Sequence, residues 1–275
     1  MRVAILNVST LTGKGMEVAE MMVRRTLDVL SLQKIRWTGQ RARDLGFDCK
    51  LYYTGGEEKR NGVGNVLHGD IKKTLVEVIR VNNRLMAVRV QLRNVMLFVV
   101  AAYAPQSERE DEVKQQFRDE LQTLTDKASD GEFLVVLGDM SAHIGSDREG
   151  LEKCIGRYGR DNRNAEGQNL LEMCSPNGWM IASTWFEKRD NQLYTYYSGR
   201  SKMQIDMIIV RKAQWRYMVD TKVIPSETVV PQHKQVVATL RLERFGRKDL
   251  CSTETRVGNR KRNGAVIERF PREVL

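Results

Sequence analysis

The chain has few of the residues that staple small scaffolds together. Its 275 residues include four cysteines, five prolines and three histidines. Cys49, Cys154, Cys174 and Cys251 are scattered with no C-x-x-C pair, which excludes a zinc-type spacing and gives no sign of a disulfide framework in a chain this long. Unpaired thiols in a reducing, intracellular compartment are the simplest expectation. Long hydrophobic runs are missing as well. No apolar stretch approaches the roughly 18 residues that cross a bilayer. The opening "MRVAILNVSTL" has one short apolar run and no small-residue cleavage site behind it, so it reads as a strand and not as a signal peptide.

Acidic charge is also in short supply. Forty-five Lys and Arg face 35 Asp and Glu, a formal net charge of +10. That balance suits polyanionic partners, nucleic acid first and acidic membrane second, although a solvated surface that is merely basic satisfies the same count. The excess is uneven. Residues 241–275 carry ten Lys or Arg against five Asp or Glu, half of the total surplus. With "GNRKRNG" (258–264) in it, the stretch 243–275 reads as a flexible basic tail, either a linker or an arm on a nucleic acid backbone. The 41% hydrophobic content before and around it is ordinary for a globular chain able to bury a sizeable core.

What is present is a series of strand-length apolar runs. They are "VAILNV" (3–8), "LDVLSLQ" (27–33), "GVGNVLH" (62–68), "LMAVRVQL" (85–92), "VMLFVVAAY" (95–103), "FLVVLGD" (133–139), "GWMIAS" (178–183), "IDMIIV" (205–210) and "QVVATLRL" (235–242). Their β-branched and aromatic content, bounded by Gly, Asn, Asp and Pro, favours strands over short buried helices. Three helical segments lie between them. Residues 107–129 place Val113, Phe117, Leu121 and Leu124 at helical spacing, with Ser107 as an expected N-cap. Residues 15–26 and 166–178 read as two more. Hairpin pairs such as 85–92 with 95–103 predict two packed sheets with helices outside, not a doubly wound parallel sheet.

Aligned strands bring their ends to one rim, and here the ends carry reactive groups. Asn7, Lys34, Tyr103 and Asp139 follow apolar runs, Asp206 opens one, and His233 precedes the last. Singly, each is as well explained by a cap or a turn. His143 reads as structural or solvated, and His68 has no motif around it. Tyr194, Tyr196 and Tyr197 can stack on a base or sugar, or pack a strand.

The motifs "NVSTL", "LDVLSLQ-x-x-RW", "AAYAPQ", "VVLGDMSAHIG", "YTYYSG", "QIDMIIV" and "VVPQHKQVV" come in the order and approximate spacing of one family. Over about residues 1–242 the chain resembles the endonuclease/exonuclease/phosphatase superfamily, and within it the endonuclease domains of non-LTR retrotransposons and their domesticated relatives. The resemblance implies a DNase I-like fold, a four-layer αββα sandwich of two mixed sheets flanked by helices. It implies Asp139, His233, Asp206 and Tyr103 as catalytic residues, with Asp139 orienting water and Asp206 holding His233. Asn7, Ser141 and Thr195 match positions that contact phosphate or DNA, and Asn7 also matches a metal-side position. The implied cofactor is Mg²⁺, with Mn²⁺ as the substitute. DNA is the implied partner, the nucleus the implied location, and a reverse transcriptase domain a partner in any parent element.

The chain departs from that pattern at three places. The family has Glu, its chief metal ligand, where Lys34 stands, Asn where Ser141 stands, and in many members Asp where Gln232 stands. Two of these are metal-side carboxylates. An ammonium cannot ligate a cation, and at about 4 Å with an effective dielectric near 20 it repels each unit of positive charge by about 4 kcal/mol. Three functions stay open at this stage: a metal-dependent DNA-nicking phosphodiesterase with an impaired metal side, a nucleic-acid-binding domain of the same fold without turnover, and a phosphodiesterase acting on inositol phosphates or phospholipids.

Overall fold

Strands buried on both faces lose their hydrophobic alternation and read as continuous apolar runs, and that is how the centre of this protein is built. The computed structural model describes residues 1–227, 229–245 and 266–269. In chain order the elements are β1 (Arg2–Asn7), α1 (Gly15–Arg24), β2 (Val29–Gln33), β3 (Gln40–Gly46), β4 (Cys49–Thr54), β5 (Val63–His68), β6 (Leu75–Arg80), β7 (Leu85–Leu92) and β8 (Val95–Tyr103). There follow α2 (Asp111–Thr125), β9 (Glu132–Asp139), α3 (Ala165–Cys174), β10 (Trp179–Ile181), β11 (Tyr196–Ser198), β12 (Ser201–Met203), β13 (Asp206–Arg211), β14 (Met218–Ile224), β15 (Gln235–Leu240) and β16 (Val266–Arg269).

Two seven-stranded sheets result. Their orders are β14-β15-β1-β2-β5-β4-β3 and β10-β13-β9-β8-β7-β6-β16, with β11 and β12 as a separate ribbon. The β1–β2 and β8–β9 pairs are parallel; every other named pair is antiparallel. Successive side chains of a strand point to opposite faces, and the buried clusters follow that rule. Val3, Ile5, Leu97, Val99, Ala101, Val135 and Leu137 meet between the sheets. Phe98, Val100, Leu134 and Val136 face outward against Phe117 and Leu121 of α2 and Leu171 of α3. Ala4, Leu6 and Leu30 face α1 through Val18 and Met22. The layers are therefore helix, sheet, sheet, helix, the αββα sandwich expected from the hairpins and from the resemblance.

The strands that the periodicity does not show carry charge or sit at edges. Six of the seven residues of β3 are exposed, and β3 is an edge strand, so nothing requires an apolar pattern there. Glu77 of β6 is buried, but Arg89 of β7 pairs with it and with Glu132 of β9, the latter at 2.6 Å; a buried charge is tolerated when it is paired in this way.

The helix boundaries correct two expectations. Ser107 does not cap α2, which begins at Asp111 with Glu110 in the N-cap position, and Val113 stands 39% exposed while Phe117, Leu121 and Leu124 are buried. α3 is capped by Asn164, whose Oδ1 accepts from Gly167 N–H at 2.8 Å and from His143 N–H at 3.0 Å. The cap thus ties the segment after β9 to the helix. The buried core continues to Phe245, which packs edge-on against Phe133 and Tyr217. Most of the expected tail, 243–275, lies outside the described residues, and so does Cys251; within it, β16 pairs antiparallel with β6. Cys49, Cys154 and Cys174 are buried and unpaired.

Phe98 is fully buried between the second sheet and α2. Phe98→Ala is expected to cost about 3–5 kcal/mol, read as a lower midpoint in urea or guanidinium unfolding. A loss below about 1 kcal/mol would contradict the packing described here.

Candidate functional site

Strand register alone sets three acidic or phenolic side chains in a row. Tyr103 at the end of β8 is the Cα partner of Asp139 at the end of β9, and Asp139 is the partner of Asp206 at the start of β13. Registered partners point to the same face of a sheet. Leu137 and Ile208, two residues away, lie between the sheets, so the row projects into the inter-sheet space where the apolar core ends. In the facing sheet β1 ends with Asn7, two residues beyond the inward-facing Ile5. Gly138 permits the close approach of β8 and β9: a Cβ there would stand 2.6 Å from the Ala102 carbonyl oxygen.

One hydrogen bond closes the gap between the sheets. Asn7 Nδ2 donates to Asp139 Oδ2 at 2.8 Å, with both residues buried. Each then makes the same local turn. Asn7 Oδ1 accepts from Ser9 N–H at 3.0 Å and Asp139 Oδ1 from Ser141 N–H at 3.1 Å, the side-chain-to-backbone pattern of an Asx turn. Ser9 (φ 58°), Lys34 (φ 57°) and Ser141 (φ 48°) all adopt the left-handed region, at a cost of about 1–2 kcal/mol each for a residue with a Cβ. Three of the chain's positive-φ residues outside glycine thus fall at the strand ends around this site.

His233 completes the pocket. Its Nδ1 lies 3.0 Å from Asp206 Oδ2, and because an ionised carboxylate only accepts, Nδ1 carries a proton. Nε2 faces Asp139 Oδ2 across 3.9 Å, and the Tyr196 ring lies against the imidazole with centroids 4.7 Å apart. Thr195 Oγ1, fully buried, accepts from the backbone N–H groups of Ile205 and Asp206 at 3.0 Å each, and Lys234 N–H donates to Thr195 O at 2.7 Å. The loop at 194–196 therefore fixes both Asp206 and His233. The cavity among these groups measures about 170 Å³ and is also lined by Lys34, Ser141, His143 and Gln232.

The electrostatics follow from burial. Asp139 is pushed up to about 6 by loss of solvent and by the charge of Asp206, against the opposing pull of His233, Asn7 and Ser141. For His233, burial works against the charged form. The charge and hydrogen bond of Asp206, together with Asp139, outweigh it and hold the imidazole above its usual value, while Lys34 opposes them. Tyr103 rises to about 12, first through burial and then through Asp139, so its hydroxyl stays protonated and can donate. Lys34 has no hydrogen-bond acceptor or carboxylate in ion-pair range among the described residues. Ligand atoms of Asp139, Asp206 and His233 lie within 4.8 Å of one another, a group that could hold a metal ion, and Asp206 Oδ1 is buried without a hydrogen-bond partner.

Asn7, Tyr103, Asp139, Ser141 and His233 thus line one pocket together with Lys34 and Gln232; Asp206 and Thr195 stand behind it, bonded to His233 and to one another's segments, and His68 is not part of it. His143, set aside above, lies on its wall. Two further residues shape the site. Arg84 stacks 5.2 Å over the Tyr103 ring and donates to the Tyr103 and Ala104 carbonyl oxygens at 3.2 and 3.1 Å. Gln33 Nε2 reaches across the sheets to Leu137 O at 3.3 Å. Gln33 belongs to the "LDVLSLQ-x-x-RW" motif, whereas Arg84, just before β7, carries no motif.

No protein-family model matches the chain. Over 235 residues, 84% of this chain, it is 31% identical to craniofacial development protein 2 from Bos taurus. The chain spans 39% of that relative's length. Among solved structures it superposes on a 3′-5′ exonuclease from Neisseria meningitidis with a TM-score of 0.65 at 18% identity, covering 87% of this chain and 99% of that one. The endonuclease domain of TRAS1, a telomere-specific non-LTR retrotransposon, gives a TM-score of 0.65 at 14% identity, covering 88% and 99%. These likenesses establish a DNase I-like fold. No helix among the described residues is long and apolar enough to cross a membrane.

The raised Asp139 has a consequence for stability. A free aspartate titrates near 3.9, so between about pH 4 and pH 6 the folded chain binds this proton more tightly than the unfolded chain does. The stabilisation is complete below about pH 4 and is lost as pH rises through about 6. Melting temperatures of the parent and Asp139→Asn, taken from pH 4 to 8, should show the parent losing ground to the variant across that window and levelling above it. A difference that does not change with pH would show that Asp139 is not a buried carboxyl of raised proton affinity.

Proposed function

We propose, from the premise that the chain carries a DNase I-like domain, that its pocket hydrolyses phosphodiesters and that the substrate is DNA, cut in the manner of an endonuclease. One observation carries the reading: a histidine held by a carboxylate, Asp206, faces a second carboxylate, Asp139, across 3.9 Å in the lining of a small polar cavity. Hydrolysis of a phosphodiester needs a positioned water, donors for the phosphate oxygens and relief of developing charge. Asp139, with a proton affinity near neutrality, suits the task of taking the proton of the attacking water. His233, carrying a proton on Nδ1 toward Asp206, can present Nε2–H to a phosphate oxygen. Tyr103 supplies a further donor, and Asn7 keeps Asp139 from rotating away.

The resemblance also implies a divalent metal, and the donor set meets that only in part. The position that matches the chief metal carboxylate is Lys34, and Asn7 Oδ1 is already engaged by Ser9 N–H. These two offer no anionic oxygen and do not fit Mg²⁺, which is held by carboxylates in a near-octahedral oxygen shell. Asp139, Asp206 and His233 form a mixed oxygen and nitrogen set, which suits a transition ion such as Mn²⁺ better than Mg²⁺. A divalent ion held there would neutralise charge on the phosphate, with Asp139 and His233 Nε2 as its ligands in place of their roles as base and donor. Lys34 favours a second reading, a domain that binds DNA without turnover, because it can offset a phosphate's charge but cannot rebuild a coordination shell. On either reading the domain works on nuclear DNA, and a reverse transcriptase domain is the expected partner in a parent element.

Relaxation of supercoiled plasmid, with Mg²⁺ or Mn²⁺ present, tests both. On the first reading the parent nicks, and Asp139→Ala or His233→Ala lowers the rate about a hundred- to ten-thousand-fold. Absence of nicking at every metal concentration would overturn it. Lys34→Glu is expected to raise nicking and to tighten Mn²⁺ binding measured by calorimetry; a variant no better than the parent in either assay would clear Lys34 as the lesion.

A further inference from the structure

Two residues beyond Lys34 the chain turns into a second depression of about 350 Å³, separated from the first by the loop 34–37. Its wall holds Arg36, Arg41, Arg43 and Lys59 around Trp37. All four cations are exposed while Trp37 is half-buried. None of the four has a carboxylate in ion-pair range among the described residues, although the chain is rich in surface acids elsewhere. Four like charges kept together without counter-ions repel one another, and the arrangement becomes favourable when an anion spans them.

The depression is built rather than loose. Trp37 Nε1 donates to Thr12 Oγ1 at 3.3 Å, joining the loop after β2 to the loop after β1. The Tyr53 ring meets Trp37 edge-on with centroids 5.4 Å apart. Arg43 lies over the Trp37 ring at 4.8 Å, a cation–π contact that holds a long side chain without using its outward N–H donors. Arg41 and Arg43 are both on β3, an edge strand, and alternate residues of a strand share a face. The depression lies next to the first pocket along the chain, since Lys34 lines one and Arg36 the other.

We propose that this cleft, Arg36, Trp37, Arg41, Arg43 and Lys59, is the cradle for the phosphate backbone of the strand flanking the phosphodiester held at Asp139 and His233. The inference rests on the reading that the first pocket takes a phosphodiester. Nucleic acid is favoured over an acidic peptide because the cleft adjoins that pocket, so that one chain of evenly spaced phosphates can occupy both. The contacts are to backbone charge, so the binding carries no base sequence preference of its own.

The test uses the whole chain in EDTA, with a fluorescein-labelled 16-base-pair DNA of arbitrary sequence and anisotropy read across a salt series. Arg41→Ala with Arg43→Ala removes two exposed cations from β3 and should leave the melting temperature unchanged. The double variant is expected to bind about tenfold or more weakly at low salt, and its slope of log affinity against log salt should fall by about two. Affinity and slope equal to the parent's would overturn the proposal, whatever the nicking assay shows. Equal displacement by polyglutamate of matched charge would also overturn it, reducing the cleft to an unselective anion patch. A parent that binds in this way but never nicks would sink the hydrolytic reading and leave the cradle standing.

Discussion

The hydrogen bond from Asn7 to Asp139 is the point on which the rest of the site depends. It joins the last residue of a strand in one sheet to the last residue of a strand in the other. Below it the space between the sheets is filled by Val, Leu and Ile side chains; above it the lining is polar. Both β1–β2 and β8–β9 are parallel pairs, so each sheet brings two strand ends to the same edge, and the loops that leave them diverge around a cavity. A sandwich made only of hairpins would scatter these ends to opposite edges. Gln33, reaching Leu137 O beneath the cavity, gives the two sheets a second polar tie.

Charge in the pocket is finely balanced for so small a volume. Two buried carboxylates stand near one imidazole, and burial drives a proton onto Asp139. Asn7, the Ser141 N–H and His233 oppose that for Asp139, while Asp206 keeps the ring cationic more readily than water would. Lys34 adds a positive charge at the rim, and Arg36 continues the positive field toward Trp37 and Arg43. On the reading proposed above, a phosphodiester would bring the negative charge that this outer ring lacks, with Asp139 as the proton acceptor for a water. Ser9, Lys34 and Ser141, all of left-handed backbone, follow the ends of these strands and line the cavity.

Much of the fold was legible beforehand because the central strands are buried on both faces, and continuous apolar runs such as 95–103 and 133–139 have few other interpretations. The strands that went unread were those whose fitness depends on a neighbour. Glu77 and Arg80 make β6 look like a surface segment until Arg89 and the Tyr53 carbonyl are in place. β3 has no apolar pattern because its outer edge faces water. The expected cap at Ser107 failed for a local reason: the residue has the right chemistry, but the chain does not turn helical until Asp111.

For the site, reactive residues at the ends of apolar runs were visible one by one, and the order of the motifs tied them to one family of folds. Residue type and strand-end position were thus determined by the sequence alone, because both follow from local pattern. Distance was not. That Asp139 meets Asn7 at 2.8 Å and His233 at 3.9 Å, that Arg84 covers Tyr103, and that His143 lies on the wall depend on strand register and on which strands run parallel. Those are properties of long-range pairing, fixed only when both sheets close on one core. The cationic cleft at Trp37 is the extreme case, since residues from three separate segments become a surface only once β3, β4 and the loop after β1 are side by side.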